Sequence, residues 1–218
     1  MRSNFSNRSL TSIILLTVLF IGLSFNKFIW LYLLIVASII CFYEFFYLIK
    51  KRFKKKNKKI YLYNFFSLVY LLLLIFVGYN LYDSSSISLI LILLICIFSD
   101  TGGYIIGKLI GGKKLTKISP KKTISGSIGS FVFSIFPIII LSFFFEESYQ
   151  SEDLSMIVFI CLFLSLICQL GDLFISYFKR QAKVKDTGSL LPGHGGLLDR
   201  IDGIIFVLPA AYLIDKLL

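Results

Sequence analysis

Residues able to do polar chemistry gather in two glycine-rich segments of this 218-residue chain. In the second segment, Asp172, Ser176 and Lys179 recur at i, i+4 and i+7 within Gly171-Asp-Leu-Phe-Ile-Ser-Tyr-Phe-Lys-Arg180. A helix there places all three along one face. Asp199 and Asp202 lie three residues apart and share a face in the same way. Two acidic stripes, one from each helix, suit a hard cation. Mg2+ takes one or two carboxylates together with substrate phosphates. Between the stripes, Pro192-Gly-His-Gly-Gly196 cannot continue a regular helix. It reads as a turn feeding a helix from near Leu197, and a turn followed by a helix N-terminus receives anions well. His194 is the one histidine, so it has no partners for a zinc site. It either meets the substrate or caps the turn. Arg200, set between Asp199 and Asp202, is either a structural salt bridge or a phosphate contact.

The first segment runs Ser99-Asp-Thr-Gly-Gly-Tyr-Ile-Ile-Gly-Lys108, then Gly111-Gly-Lys-Lys114, then Ser119-Pro-Lys-Lys-Thr123. Asp100 is expected at the end of an apolar span, where an unpaired charge is costly and marks a functional candidate. Otherwise it is a helix-end carboxylate satisfied by interfacial water. Ser119, Lys121, Lys122 and Thr123 form a phosphate-gripping turn that leads into a helix containing Gly126 and Gly129. No GxxxxGK[ST] pattern occurs, so this is not a P-loop. Thirteen of the 15 glycines fall in two windows, Thr101–Gly129 and Gly171–Gly203. With lysines to neutralise anions, carboxylates to hold a cation and glycines to admit backbone N–H groups, the windows suit phosphates and a metal.

The elements that must position these groups follow from composition. The chain is 57% hydrophobic and 16% charged, against about 45–50% and about 25% for a soluble domain. Such a chain is neither a soluble enzyme nor disordered. It is expected to be an all-α, polytopic membrane helical bundle. A bilayer core of about 30 Å needs roughly 20 apolar residues per helix. Seven candidate spans emerge: Leu10–Phe25, Phe28–Ile49, Ile60–Tyr79, a short Ile87–Ser99, Ile124–Phe145, Leu154–Leu170 and Ile201–Leu218. The first resembles a signal peptide, but no small-residue cleavage site follows, so it is kept as a span. Lys and Arg of short loops stay cytoplasmic. With the N-terminus inside, 21 of the 23 basic residues fall on one side, in the N-terminal tail, Lys50–Lys59, Lys108–Lys122 and Lys179–Arg200. The opposite loops, Asp83–Ser86 and Glu146–Asp153, are acidic or serine-rich. The formal charge of +11 therefore orients a membrane protein, with no nucleic-acid partner required. Lys50–Lys59 either binds anionic lipid head groups or only anchors the topology. Cys41, Cys96, Cys161 and Cys168 lie in apolar stretches and are read as buried and reduced.

Ser176-Tyr-Phe-Lys-Arg-x4-Lys185-Asp-Thr-Gly-Ser-Leu-Leu-Pro-Gly-His-Gly-Gly-Leu-Leu-Asp-Arg-Ile-Asp202 resembles the signature of bacterial phosphatidate cytidylyltransferases (CDP-diacylglycerol synthases). Asp100-x-Gly-x-Tyr-x-x-Gly-Lys108 followed by Ser119-Pro-Lys-Lys-Thr123 is similar to that family's other motif. The resemblance covers about Asp100–Asp202. It divides the chain into N-terminal transmembrane helices, 1–99, and a catalytic transmembrane region, 100–218. The N-terminal hundred residues match only as generic spans, and the chain is expected to be shorter than many relatives by one or two N-terminal spans. Two positions depart from the family pattern: Ile175 and Ser125 stand where relatives often carry acidic residues.

The resemblance implies that CTP and phosphatidate give CDP-diacylglycerol and pyrophosphate, with Mg2+ required and with or without a second, monovalent cation. It implies Asp172 and Asp199 as metal ligands, with Asp100 and Asp202 as further candidates for that centre. Asp172, Lys179 and Asp199 form the expected catalytic set. Ser176, Lys179, Arg180, Lys185, His194 and Arg200 are expected around substrate phosphates, and Ser119, Lys121, Lys122 and Thr123 on the CTP side. The expected location is the inner membrane, with the active site facing the cytoplasm. A homodimer is compatible with a lipid enzyme, though no residue establishes one. The rival readings are a CTP-transferase for another lipid phosphate or a polyprenol, an anion transporter, and an inactive relative serving as a scaffold.

Overall fold

The computed structural model describes residues 2–53, 58–84, 86–144 and 154–217. Part of the basic run (54–57), Ser85, and the expected outside loop Glu146–Asp153 lie outside the described residues. The elements are α1 (Arg2–Ser24), α2 (Lys27–Arg52), α3 (Lys58–Ser84), α4 (Ser86–Ile110), α5 (Ile124–Phe133), α6 (Phe136–Phe144), α7 (Leu154–Gln181) and α8 (Leu198–Leu217). Five stretches are long and apolar enough to cross a membrane: Lys27–Arg52, Lys58–Asp83, Ile87–Ile110, Ile124–Ser142 and Leu154–Gln181. Leu10–Ser24 is a shorter apolar helix. α8 carries Asp199, Arg200, Asp202, Asp215 and Lys216 and is less apolar. The side chains are arranged for lipid rather than water: Phe65 and Phe159 are 60% and 67% exposed, whereas Ser99 and Ser165 are fully buried. Within a bilayer, apolar groups face the tails and polar groups find partners inside. The protein is an integral, polytopic, all-α membrane protein.

Three expected spans differ in extent, the sixth by running on from Leu170 to Gln181. The fourth does not stop at Ser99 but runs to Ile110, so Asp100 lies within a helix and not at its end. The Gly102-Gly103 pair reads as a breaker in sequence. Here it is held in the helix because α5 packs against it. A side chain on Gly102 would lie 2.8 Å from the Gly129 carbonyl oxygen, and one on Gly129 would lie 2.5 Å from Ile106 Cβ. Small residues let the two helix backbones approach closely, as they do in membrane helix pairs generally. Gly102, Gly103 and Gly107 therefore serve the close packing of α4 on α5. The fifth span is broken at Ser134-Ile135 into α5 and α6, with Pro137 in the first turn of α6, where a missing N–H costs least.

The described residues group into two compact units, Met1–Ser86 with Tyr177–Asp202, and Ile87–Ser176 with Gly203–Leu218. This grouping splits the expected 100–218 region, because α7 and α8 each contribute to both units. In the first unit, the Asn26 side chain caps α2, its Oδ1 accepting from the N–H of Phe28 at 2.6 Å. Lys50, Lys51 and Arg52 close α2 with charges that suit the negative end of the helix dipole. The Trp30 indole donates to the Gly78 carbonyl at 2.8 Å, tying α2 to α3. In the second unit, α4 and α7 are joined by a buried Ser99–Ser165 hydroxyl pair at 2.8 Å. Gly203 of α8 presses on Cys168 of α7, where a Cβ would lie 2.4 Å from the sulfur.

Candidate active site

In the second unit the first glycine-rich segment meets the start of the second. The segment after α4 folds back as a small hairpin: Leu115 N–H donates to Lys122 O at 2.8 Å, and Ile124 N–H to Lys113 O at 3.0 Å. Ser119-Pro-Lys-Lys122 closes it as a turn, with Lys122 N–H on Ser119 O at 3.0 Å. Pro120 at the second position fits that turn, since its φ is already set. Thr123 is then the N-cap of α5, its hydroxyl oxygen accepting from Gly126 N–H at 3.1 Å. The Ser125 hydroxyl donates to the Gly111 carbonyl, so at this departure from the family pattern the side chain closes the hairpin. This geometry delivers the Lys122 ammonium onto Asp172 Oδ2. The other carboxylate oxygen of Asp172 accepts from the Ser176 hydroxyl at 3.2 Å, one turn further along α7. Both members of the ion pair are about a quarter exposed. Lys121 is exposed and Ser119 half-buried. Asp100, exposed on α4, lies beside Cys168, 3.9 Å from its sulfur. Ile175, the other departure, is buried.

In the first unit a second lysine–aspartate pair forms. Helix α7 continues unbroken through Gln181, so the stripe of Asp172, Ser176 and Lys179 expected from the sequence is present. Lys179 Nζ lies 2.8 Å from Asp199 Oδ1, with the two side chains only 12% and 6% exposed. Asp199 Oδ2 accepts from Thr187 N–H at 2.7 Å, from Gly196 N–H at 3.0 Å and from the Thr187 hydroxyl at 3.0 Å. The carboxylate thus organises the loop that precedes its own helix. The expected turn is there: Leu191 N–H donates to Gly195 O at 2.8 Å, and His194 N–H to Leu191 O at 2.9 Å. Gly193 and Gly195 have φ of 75° and 88°, a conformation that glycine adopts without strain. Arg200 does not pair with Asp199 or Asp202 among the described residues. Its guanidinium grips the His194 carbonyl oxygen at 2.8 and 3.2 Å. His194 Nε2 lies 3.4 Å from the Ser12 hydroxyl of α1, and the Thr11 hydroxyl donates to Pro192 O at 3.0 Å. Asp202 is buried, whereas Arg180 and Lys185 are exposed.

Two residues of this arrangement escaped the sequence reading. Thr187 is buried and touches both Asp199 and Glu44. Glu44, on α2, is buried too and accepts from Thr187 Oγ1 at 2.8 Å and from the N–H groups of Leu197 and Leu198 at 2.9 Å each. Its signal was in the sequence. It is the only charged residue between Phe28 and Ile49, and an acidic group within a span is a functional candidate by default.

In the second unit, Asp172 offers carboxylate oxygens with the Ser176 hydroxyl beside them, donors of a kind that fits a hard cation. Among the described residues no group of three or more His, Cys, Asp and Glu gathers as a metal cluster.

The chain is similar to the phosphatidate cytidylyltransferase of Staphylococcus haemolyticus, 46% identical over 112 residues, covering 51% of this chain and 42% of that protein. It is similar to the enzyme of that name from Rickettsia bellii, 45% identical over 116 residues, 51% of this chain and 50% of the other. The Rickettsia prowazekii protein of the same name is 42% identical over 134 residues, 58% of each chain. The chain thus spans about half the length of the curated relatives it matches. Residues 54–218 match the model of the cytidylyltransferase family, which takes in both motifs and both lysine–aspartate pairs, and the chain belongs to that family.

Proposed function

We propose that this protein is a phosphatidate cytidylyltransferase, joining CTP and phosphatidate to give CDP-diacylglycerol and pyrophosphate. The observation that carries the reading is the meeting of motifs at Asp172: Lys122 of the Ser-Pro-Lys-Lys-Thr turn pairs with the aspartate of the Gly-Asp-Leu helix. Relatives bearing that activity's name support it. In the reaction, a phosphate oxygen of phosphatidate bonds to the α-phosphorus of CTP as the bond to the β-phosphate oxygen breaks. The attacking phosphate has a second pKa of about 6 and is already an anion at neutral pH, so it needs no strong general base. The obstacle is bringing two anions together, and positioning with charge neutralisation lowers it.

Each site carboxylate holds a lysine that substrate phosphates can claim. Lys122 is proposed to serve the nucleotide phosphates and Lys179 the lipid phosphate, with Ser176 as a donor beside Asp172. Arg180, Lys185, His194 and Arg200 are proposed around the phosphates, and Ser119, Lys121 and Thr123 on the CTP side. Asp172 and Asp199 are the residues proposed to hold Mg2+, with Asp100 and Asp202 as further candidates. When bound, the ion neutralises phosphate charge.

The test is pyrophosphate release by detergent-purified protein given CTP, Mg2+ and phosphatidate. Release dependent on all three is expected, and absence of release from the wild-type chain ends the proposal.

The site is proposed to face the cytoplasm. A cysteine placed at Ser85 is expected to react with a membrane-impermeant maleimide added to intact cells, while one at Asn57 reacts only after lysis. The four native cysteines are buried and leave the background low. Labelling at Asn57 in intact cells inverts the orientation.

A further inference from the structure

Helix α8 starts without a cap of its own. Its N-terminal sequence, Gly195-Gly-Leu-Leu-Asp199, places Leu197 at the cap position, with Arg200 N–H on Leu197 O at 2.9 Å. A leucine side chain has no oxygen to offer the first N–H groups of a helix, and such groups left buried are costly. They are satisfied from another helix. Glu44 Oε1 accepts from Leu197 N–H, and Oε2 from Leu198 N–H, each at 2.9 Å. A carboxylate at this end also meets the positive pole of the helix dipole. Among the described residues no lysine or arginine pairs with Glu44, so backbone N–H groups and the Thr187 hydroxyl are what compensate its charge.

The same carboxylate shapes the loop before α8. A Cβ on Gly196 would lie 2.3 Å from Glu44 Oε2, and one on Gly188 would lie 2.8 Å from Oε1. Only glycine lets these two stretches close over the acid. The Thr187 hydroxyl, with one proton, stands 2.8 Å from Glu44 Oε2 and 3.0 Å from Asp199 Oδ2. It ties the acid on α2 to the aspartate that holds Lys179.

We infer that Glu44 is a positioning residue of the active site: a helix cap supplied by α2 that fixes Thr187, Gly196 and the start of α8, and through them the orientation of Asp199. Glu44 precedes residues 54–218, the segment matched by the family, so nothing in that match assigns it a role. The catalytic part of the inference rests on the proposed function, whereas the capping part stands on geometry alone.

Glu44→Gln is the discriminating variant. Glutamine has nearly the shape of glutamate but one acceptor oxygen in place of two. Whichever way its amide lies, an NH2 group opposes either Leu197 N–H or Leu198 N–H. Hydrogen exchange at those two amides is expected to quicken by about tenfold or more, with exchange in α3 unchanged. Turnover is expected to fall by about 10- to 100-fold, the usual effect of losing a group that orients a site ligand. KM for CTP and phosphatidate should stay within about twofold, because Glu44 touches neither in this scheme. A merely structural residue would lower the amount of folded enzyme without singling out these amides. Ser38→Ala is the control. Ser38 is another buried polar residue of α2, and among the described residues its hydroxyl makes no hydrogen bond; both readouts should match wild type.

If Glu44→Gln does not fold, the Thr187 pair decides. Thr187→Val, which removes the hydroxyl, should lower turnover at unchanged KM, and Thr187→Ser should restore it. Wild-type exchange at Leu197 and Leu198 in Glu44→Gln overturns the cap. Wild-type turnover in Glu44→Gln, or in Thr187→Val where that variant decides, overturns the positioning role. A wild-type chain that releases no pyrophosphate sinks the proposed reaction alone, since exchange still reads the cap.

Discussion

Asp199→Asn is expected to lower pyrophosphate release by about 1000-fold, the upper scale for removing one preorganised electrostatic partner of a reacting group. The cause is local and specific. Asp199 answers three donors with two oxygens, Lys179 Nζ on Oδ1 and the N–H groups of Thr187 and Gly196 on Oδ2, and shares the single Thr187 hydroxyl proton with Glu44 Oε2. Asparagine has one oxygen. If it keeps the loop amides, its NH2 points at an ammonium; if it keeps Lys179, its NH2 points at two N–H groups. Either way the Lys179 charge, on a side chain only 12% exposed, loses its counter-charge. Breaking one partner of a buried pair costs about 3–5 kcal/mol, so Asp199→Asn should also unfold at lower temperature in detergent. The activity loss must therefore be measured below the variant's own unfolding midpoint, per mole of folded protein. Activity within tenfold of wild type under that condition removes Asp199 from the reaction and leaves it as a loop organiser.

What the sequence could and could not reveal follows from range. Composition alone required a helical membrane bundle, because only helices and closed barrels satisfy the backbone in lipid. The Asp172–Ser176–Lys179 stripe was legible because helical spacing is local. The Pro192–Gly196 turn was legible because proline and glycine set backbone angles by themselves. Contacts between distant segments were not. Lys122 reaches Asp172 across 50 residues of sequence, and Glu44 reaches Thr187 across 143. Glu44 was visible as a lone acid within an apolar span, but its partners, two leucine N–H groups and a threonine, carry no sequence mark of their own. Arg200 was expected either to pair with its neighbouring aspartates or to meet phosphate. Among the described residues it pairs with neither aspartate and holds the His194 carbonyl, because Asp199 is already filled by Lys179 and loop amides. The first glycine window was ambiguous for a different reason. A glycine that admits an anion and a glycine that admits another helix read alike, and only the packing of α4 on α5 separates them.

That separation yields the second large effect. Alanine in place of a mid-helix glycine gains about 1 kcal/mol from propensity alone, so the bland expectation for Gly126→Ala and Gly129→Ala is a more stable protein. Packing predicts the reverse. A Cβ on Gly129 falls 2.5 Å from Ile106 Cβ and 2.9 Å from the Gly102 carbonyl oxygen, and one on Gly126 falls 2.8 Å from the Gly103 carbonyl oxygen. Two of these obstacles are backbone atoms of α4, so the helices must part. Overpacking of this kind costs about 1–3 kcal/mol, and here parting the helices also strains the hairpin that places Lys122 on Asp172. The net expectation is destabilisation, with Tm falling by about 2–4 °C for each kcal/mol lost, and turnover falling with it. Gly112→Ala is the contrast. Its Cβ would meet nothing within 4 Å, so only the backbone strain of a φ of 100° opposes it, and α4 and α5 stay together. If Gly126→Ala and Gly129→Ala keep the wild-type Tm and instead raise KM for CTP, the glycines admit the nucleotide's phosphates after all, and the α4–α5 contact is not what they are there to make.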